Sequence, residues 1–119
     1  MRKSEWKKKI IEQCQSVGTY RDAFLPAIDT LAGILEQRDK THAELTSSGG
    51  KSVILYTNKA GAENMTKNPL LVLWDDLNKS ALAYWRDLGL TPAGLRKLDE
   101  KSMQKPKVSA LAEALRELG

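Results

Sequence analysis

The chain has 119 residues, is 41% hydrophobic and 29% charged, and carries a formal net charge of +4. That length supports one domain with a modest core, and no apolar run approaches the roughly 20 residues a membrane span requires. A single cysteine, Cys14, excludes an internal disulfide, and the basic N-terminus runs into Ile10-Ile11-Glu12-Gln13 rather than an apolar secretion core, so a reducing cytosol is the expected location.

The first helix is expected from Ser4, a plausible N-cap, with Trp6, Ile10, Cys14 and Val17 at helical spacing and Gly18 as its stop. Thr19 and Asp22 form an approximate capping box for a second helix, whose stripe is Tyr20, Phe24, Ile28, Leu31 and Leu35. Pro26 falls inside this pattern and predicts a kink, or a short first segment ending near Phe24. Beyond Leu35 the face turns polar, so the helix is expected to run to about Leu45 while projecting into solvent. After the breaker cluster Thr46–Gly50, Ser52–Thr57 is rich in β-branched and aromatic residues and reads as one short strand. No second run pairs with it obviously. Residues 58–67 read as loop, and the strand must find its partner in another subunit or in that nearby segment.

The third helix has the clearest signals. Asn68 caps it, Pro69 occupies the first helical position, and Leu70, Trp74, Leu77, Ala81, Tyr84 (or Trp85) and Leu88 keep the 3–4 spacing up to Gly89. Thr91-Pro92 caps a short fourth helix whose Leu95 and Leu98 fold back on the third. The fold class is therefore mainly α, with four to five helices, a central antiparallel hairpin of the second and third helices and one short strand, assembling as an oligomer. Residues 1–98 form the helical domain, 99–107 a polar linker, and 108–119 a C-terminal docking helix with Leu111, Leu115 and Leu118 on one face.

No constellation in this chain performs chemistry. His42 is the only histidine, which removes most nucleophilic triads and histidine-based metal sites. Gly50-Lys51-Ser52 resembles the end of a phosphate loop, but Leu45 stands where the motif needs glycine, and a strand rather than a helix follows. Asp75 and Asp76 are adjacent on a helix and diverge. No catalytic residue, metal or cofactor is expected. Trp74, Tyr84 and Trp85 could stack on bases, but their helical spacing in a leucine-rich stripe assigns them to core or oligomer interface. The Leu88–Leu98 turn has helix-turn-helix form, yet its second helix offers a groove only Arg96 and Lys97.

The stretches Tyr56-Thr57-Asn58-Lys59-Ala60-Gly61-Ala62, Lys67-Asn68-Pro69 and Leu88-Gly89-Leu90-Thr91-Pro92-Ala93-Gly94 occur in an order that resembles the phage terminase small subunit family, in the short form common in Gram-positive phages and prophages. Gly18-Thr19-Tyr20, Arg38-Asp39 and Tyr84-Trp85-Arg86-Asp87 fit the same pattern, so the likeness covers Trp6 to Leu98. The resemblance implies a non-catalytic subunit that forms a homo-oligomeric ring in the host cell cytoplasm, binds double-stranded viral DNA and recruits the terminase large subunit, which carries the ATPase and nuclease. A small dimeric DNA-binding regulator and a pure interaction scaffold are the alternatives. Native mass separates ring from dimer, and DNA binding separates both from a scaffold.

The expected DNA contacts follow from charge. Arg2, Lys3, Lys7, Lys8 and Lys9 stand against Glu5 alone and hold the whole net charge. Lys7, Lys8 and Lys9 spread around the helix circumference, which suits phosphate contact rather than base reading. With all five engaged, log K would fall against log salt with a slope of about −4.5 per subunit. Lys51, Lys59 and Lys67 around the central loop are the next candidates. The C-terminal helix is the expected dock for the large subunit or an adjacent protomer.

Overall fold

The structure, a computed structural model, describes residues 1–99. Three long helices, α1 (Lys3–Val17), α2 (Leu25–Ser47) and α3 (Pro69–Asp87), account for most of it, with a two-stranded sheet between α2 and α3. Residues 92–99 are also helical. The proposed linker beyond Asp99 and the C-terminal docking helix lie outside the described residues.

Each helix starts where local chemistry permits, and two starts differ from the sequence reading. The N-cap of α1 is Arg2 rather than Ser4, and no side chain of its own caps it. A carboxylate from α2 takes that place instead: the Lys3 backbone N–H donates to Glu36 Oε2 at 2.7 Å. For the second helix, Thr19 and Asp22 form no capping box. A single 3₁₀ turn over Asp22–Phe24 precedes α2, and Pro26 sits in its first turn, where the missing N–H disturbs nothing. The proline thus sets the helix start and produces no kink. For α3, Asn68 caps as expected, its side chain accepting from the Leu70 N–H at 3.0 Å.

All three helices end alike. After α3, the Gly89 N–H donates to the Arg86 carbonyl at 3.0 Å and the Leu90 N–H to the Trp85 carbonyl at 2.8 Å. This double-bonded cap requires a left-handed residue, and Gly89 has φ +72°. Thr91 then caps the next helix, accepting from the Gly94 N–H at 3.1 Å. Gly94 serves close approach instead of a backbone angle. A Cβ there would collide with the Arg86 carbonyl, so the short helix packs directly on the backbone of α3.

The core is formed by Ile10 and Cys14 from α1, Ile28, Leu31, Ala32 and Leu35 from α2, and Ala81 and Leu88 from the α3 region. Helices α2 and α3 run antiparallel: His42 lies against Trp74, while Arg38, one turn earlier, reaches Trp85. Helix α1 crosses α2. Lys3 and Lys7 reach Asp29 on one side, whereas Trp6 on another reaches Asp39, nearly three turns further along.

The C-terminal half of α2 does not project into solvent. Leu45 and Thr41 are 7% and 2% exposed, and the Thr41 hydroxyl is satisfied by the Gln37 carbonyl at 2.8 Å. The buried face continues through Thr41, itself polar, and Leu45 one turn on, after the charged run Arg38-Asp39-Lys40 that hides it in the sequence.

Two strands occupy the central segment where one was expected. β1 (Val53–Thr57) pairs antiparallel with β2 (Glu63–Lys67), with Leu55 opposite Met65. The single-strand reading, and the loop over residues 58–67, are corrected by this hairpin; the partner lies in the nearby segment. Asn58 organises the tip, its side-chain oxygen accepting from the Ala60 and Ala62 N–H groups at 3.0 and 2.9 Å. β2 is exposed throughout, so burial does not specify it; the Asn58 turn and the ladder do.

Gly94→Ala should therefore destabilise the protein by roughly 1–3 kcal/mol, since the added methyl has only backbone to displace. Urea unfolding followed by helical circular dichroism measures this, and an unchanged midpoint would show that the short helix is not closely seated.

Candidate nucleic-acid interface

The five N-terminal cations occupy the first turns of α1, and docking on α2 divides them. Lys3 and Lys7 both reach Asp29, at 3.1 and 3.5 Å. They line a polar groove with Arg2, Ser4, Glu36 and Lys40. Lys9 turns the other way, its ammonium 5.4 Å from the Trp6 ring centre. Lys8 is exposed. Arg2, Lys8 and Lys9 take part in no ion pair among the described residues, so the cluster is two lysines sharing one carboxylate plus three cations open to solvent.

The acidic groups that hold this helix were read from sequence only as a polar face. Asp29 and Glu36 are one heptad apart and share a side of α2. Asp39 accepts from the Trp6 indole N–H at 2.7 Å, the Met1 ammonium at 3.2 Å and Arg38 at 3.2 Å. Arg38 also lies over Trp6 and Trp85, 5.4 and 5.9 Å from their centres, joining all three helices at one point. Burial raises the Asp39 pKa, but the hydrogen bonds from Trp6, the N-terminus and Arg38 outweigh it and leave the carboxyl below its ordinary value. The hydrogen bond from Lys3 lowers Asp29, and the Lys3 backbone N–H lowers Glu36.

The second group of cations sits on the hairpin. Lys51 and Lys67 lie at its base, where the Asn68 side chain donates to the Lys51 carbonyl at 2.8 Å, and Lys59 lies at the tip. Base and tip are about 17 Å apart along five strand residues. The hairpin leads into α3 whereas α1 packs on α2, so the two basic groups belong to separate parts of the surface.

The three aromatic residues expected at an oligomer interface are half-buried within one chain. The Trp74 ring tilts against His42 at 5.4 Å. Tyr84 and Trp85 pack on the edge of the core. The structure thus uses one flank of each ring internally and leaves the rest accessible. Among the described residues no group of His, Cys, Asp and Glu is placed to hold a metal, and no helix is long and apolar enough to cross a membrane.

The three lowered carboxylates make α1 docking acid-sensitive. Their stabilisation is complete above the unfolded carboxylate values and is lost as pH falls through the lower folded ones, so stability should decline below about pH 4. Asp39→Asn should be less stable at pH 7 and lose less on acidification. Parallel pH profiles for the two proteins in urea unfolding would show that Asp39 carries none of this dependence.

A family model described as phage terminase, small subunit matches residues 3–105, a span that includes α1, α2, the hairpin and α3. No curated protein and no solved structure matches the chain.

Proposed function

The chain belongs to the phage terminase small subunit family, and on that premise we propose that it is the non-catalytic DNA-recognition subunit of a genome-packaging terminase. It binds double-stranded viral DNA in the host cell cytoplasm and recruits the large subunit that holds the ATPase and nuclease. The family match carries this reading, and the basic first turns of α1 are the feature of this chain that supports it.

Phosphate contact assigns different roles to the five cations. Arg2, Lys8 and Lys9 engage phosphates without breaking an ion pair, whereas Lys3 and Lys7 must first leave Asp29. Phosphates fix register and orientation and carry no base sequence, which suits cations pointing to different sides of one helix. Engagement of three cations gives a salt slope of about −2.7 per subunit, against about −4.5 for all five. The accessible flanks of Trp74, Tyr84 and Trp85 supply the surface for self-association into a ring, and alanine at Trp74 or Trp85 should weaken assembly by roughly 2 kcal/mol or more.

Replacing Arg2, Lys8 and Lys9 together with glutamine should lower DNA affinity and remove most of the salt slope in a fluorescence titration. Unchanged affinity and slope would transfer the DNA site to Lys51, Lys59 and Lys67. Native mass with and without DNA tests the assembly, and a monomer at tens of micromolar would argue against the ring.

A further inference from the structure

The hairpin exposes four large apolar side chains, Val53, Leu55, Tyr56 and Met65, and as a two-stranded sheet it has two open edges. Leu55 and Met65 stand opposite each other at 58% and 67% exposure, with Val53 beside them on the same face. β2 carries a charge near each end, and neither is paired within the hairpin: Glu63 faces Thr57, and Lys67 faces Val53. Neither forms an ion pair among the described residues.

The ladder fixes which backbone groups of β2 point outward. The Asn58 N–H donates to the Ala62 carbonyl and the Asn68 N–H to the Ser52 carbonyl, each at 2.9 Å, just beyond the two ends of the ladder. In an antiparallel pair, hydrogen-bonded and non-hydrogen-bonded positions alternate. Continuing that alternation through the register directs the amides and carbonyls of Asn64 and Thr66 toward β1. Those of Glu63, Met65 and Lys67 point away from it, unpaired.

We propose that β2 is the edge through which two copies of this chain join, antiparallel and centred on Met65 of each. In this register Met65 and the partner's Met65 exchange both backbone bonds. Glu63 falls opposite the partner's Lys67, and Lys67 opposite the partner's Glu63, so two charge pairs flank the centre. Centring on Asn64 or Thr66 leaves both charges opposite uncharged residues, and the remaining alternatives are worse. Parallel pairing sets like charges alongside each other, and centring on Glu63 or Lys67 places that charge against itself. On one face Leu55, Met65, the partner's Met65 and the partner's Leu55 form a continuous apolar row across four strands. The contact is two-fold and closes on itself, so it joins copies in pairs and acts beside any contact that extends a ring. It rests on the self-association in the functional reading above and names one surface for it. The ordinary role of such charges is to keep an edge strand from pairing, and the experiment separates the two roles.

Native mass and sedimentation of the full chain provide the test. Glu63→Lys and Lys67→Glu each set like charges opposite one another twice per pair, and each should raise the dissociation constant on the order of tenfold. The double variant E63K/K67E restores opposite charges with their places exchanged, and should return association to the starting level. Met65→Pro removes an outward amide and both central bonds while sparing the ladder to β1, and it should abolish the pair with helical circular dichroism unchanged. Single variants that associate as the parent does, or a double variant that fails to recover, would overturn β2 pairing even if an assembly persists. A parent chain that is monomeric at tens of micromolar removes self-association itself, a different failure.

Discussion

One stripe of α2, formed by Ile28, Leu31, Ala32 and Leu35, is the surface on which the helical body depends. Both α1 and α3 pack on α2 far more than on each other. A three-helix bundle with three shared faces can lose one contact and keep two. Among the described residues α2 carries most of the packing of both neighbours, so a cavity in its stripe loosens both together. The polar contacts around this stripe orient the helices: Glu36 takes the place of a missing cap at the start of α1, and Asp39 holds Trp6 and the chain terminus. Apolar burial is non-directional, so these directional bonds are what define the crossing of α1 over α2.

The hairpin joins this body by a different device. Asn68 is 6% exposed and uses its whole amide: its oxygen caps α3 and its nitrogen holds the Lys51 carbonyl, while its backbone N–H donates to Ser52. One side chain therefore ends a strand, starts a helix and ties the hairpin closed at its base. Pro69 follows and fixes the backbone direction of the helix start. The hairpin's attachment is consequently specific in geometry but small in buried apolar area, which suits an element whose surface is available for other molecules.

The helical class, the stripe of α2 and the whole of α3 were legible in the sequence because each rests on local periodicity, a cap residue or a glycine stop. β2 was not, since Glu63-Asn64-Met65-Thr66-Lys67 lacks apolar alternation and exists through its pairing with β1 and the turn built by Asn58. The start of α1 was misread because its cap comes from Glu36, thirty-three residues away, and no local pattern reports a donor–acceptor pair of that separation. The same limit applies to the basic cluster. Sequence located all five cations, but only the fold separates Lys3 and Lys7, which share Asp29, from Arg2, Lys8 and Lys9. The roles of Gly89 and Gly94 likewise became distinguishable only with the corner in view: Gly89 satisfies a backbone angle and also sits tight against the Leu98 and Thr19 side chains, whereas Gly94 serves a close approach to backbone alone.

Cys14 gives the molecule a property unrelated to packing DNA. It is the chain's only cysteine, it is fully buried on the inner face of α1, and burial pushes its thiol above the ordinary value. Because the thiolate is the reactive form, alkylating reagents encounter a nearly silent site while α1 stays docked. Labelling proceeds through those moments when the helix lifts from α2, so its rate counts local opening events without any added probe. The protein thus contains its own gauge of how firmly its basic helix is held.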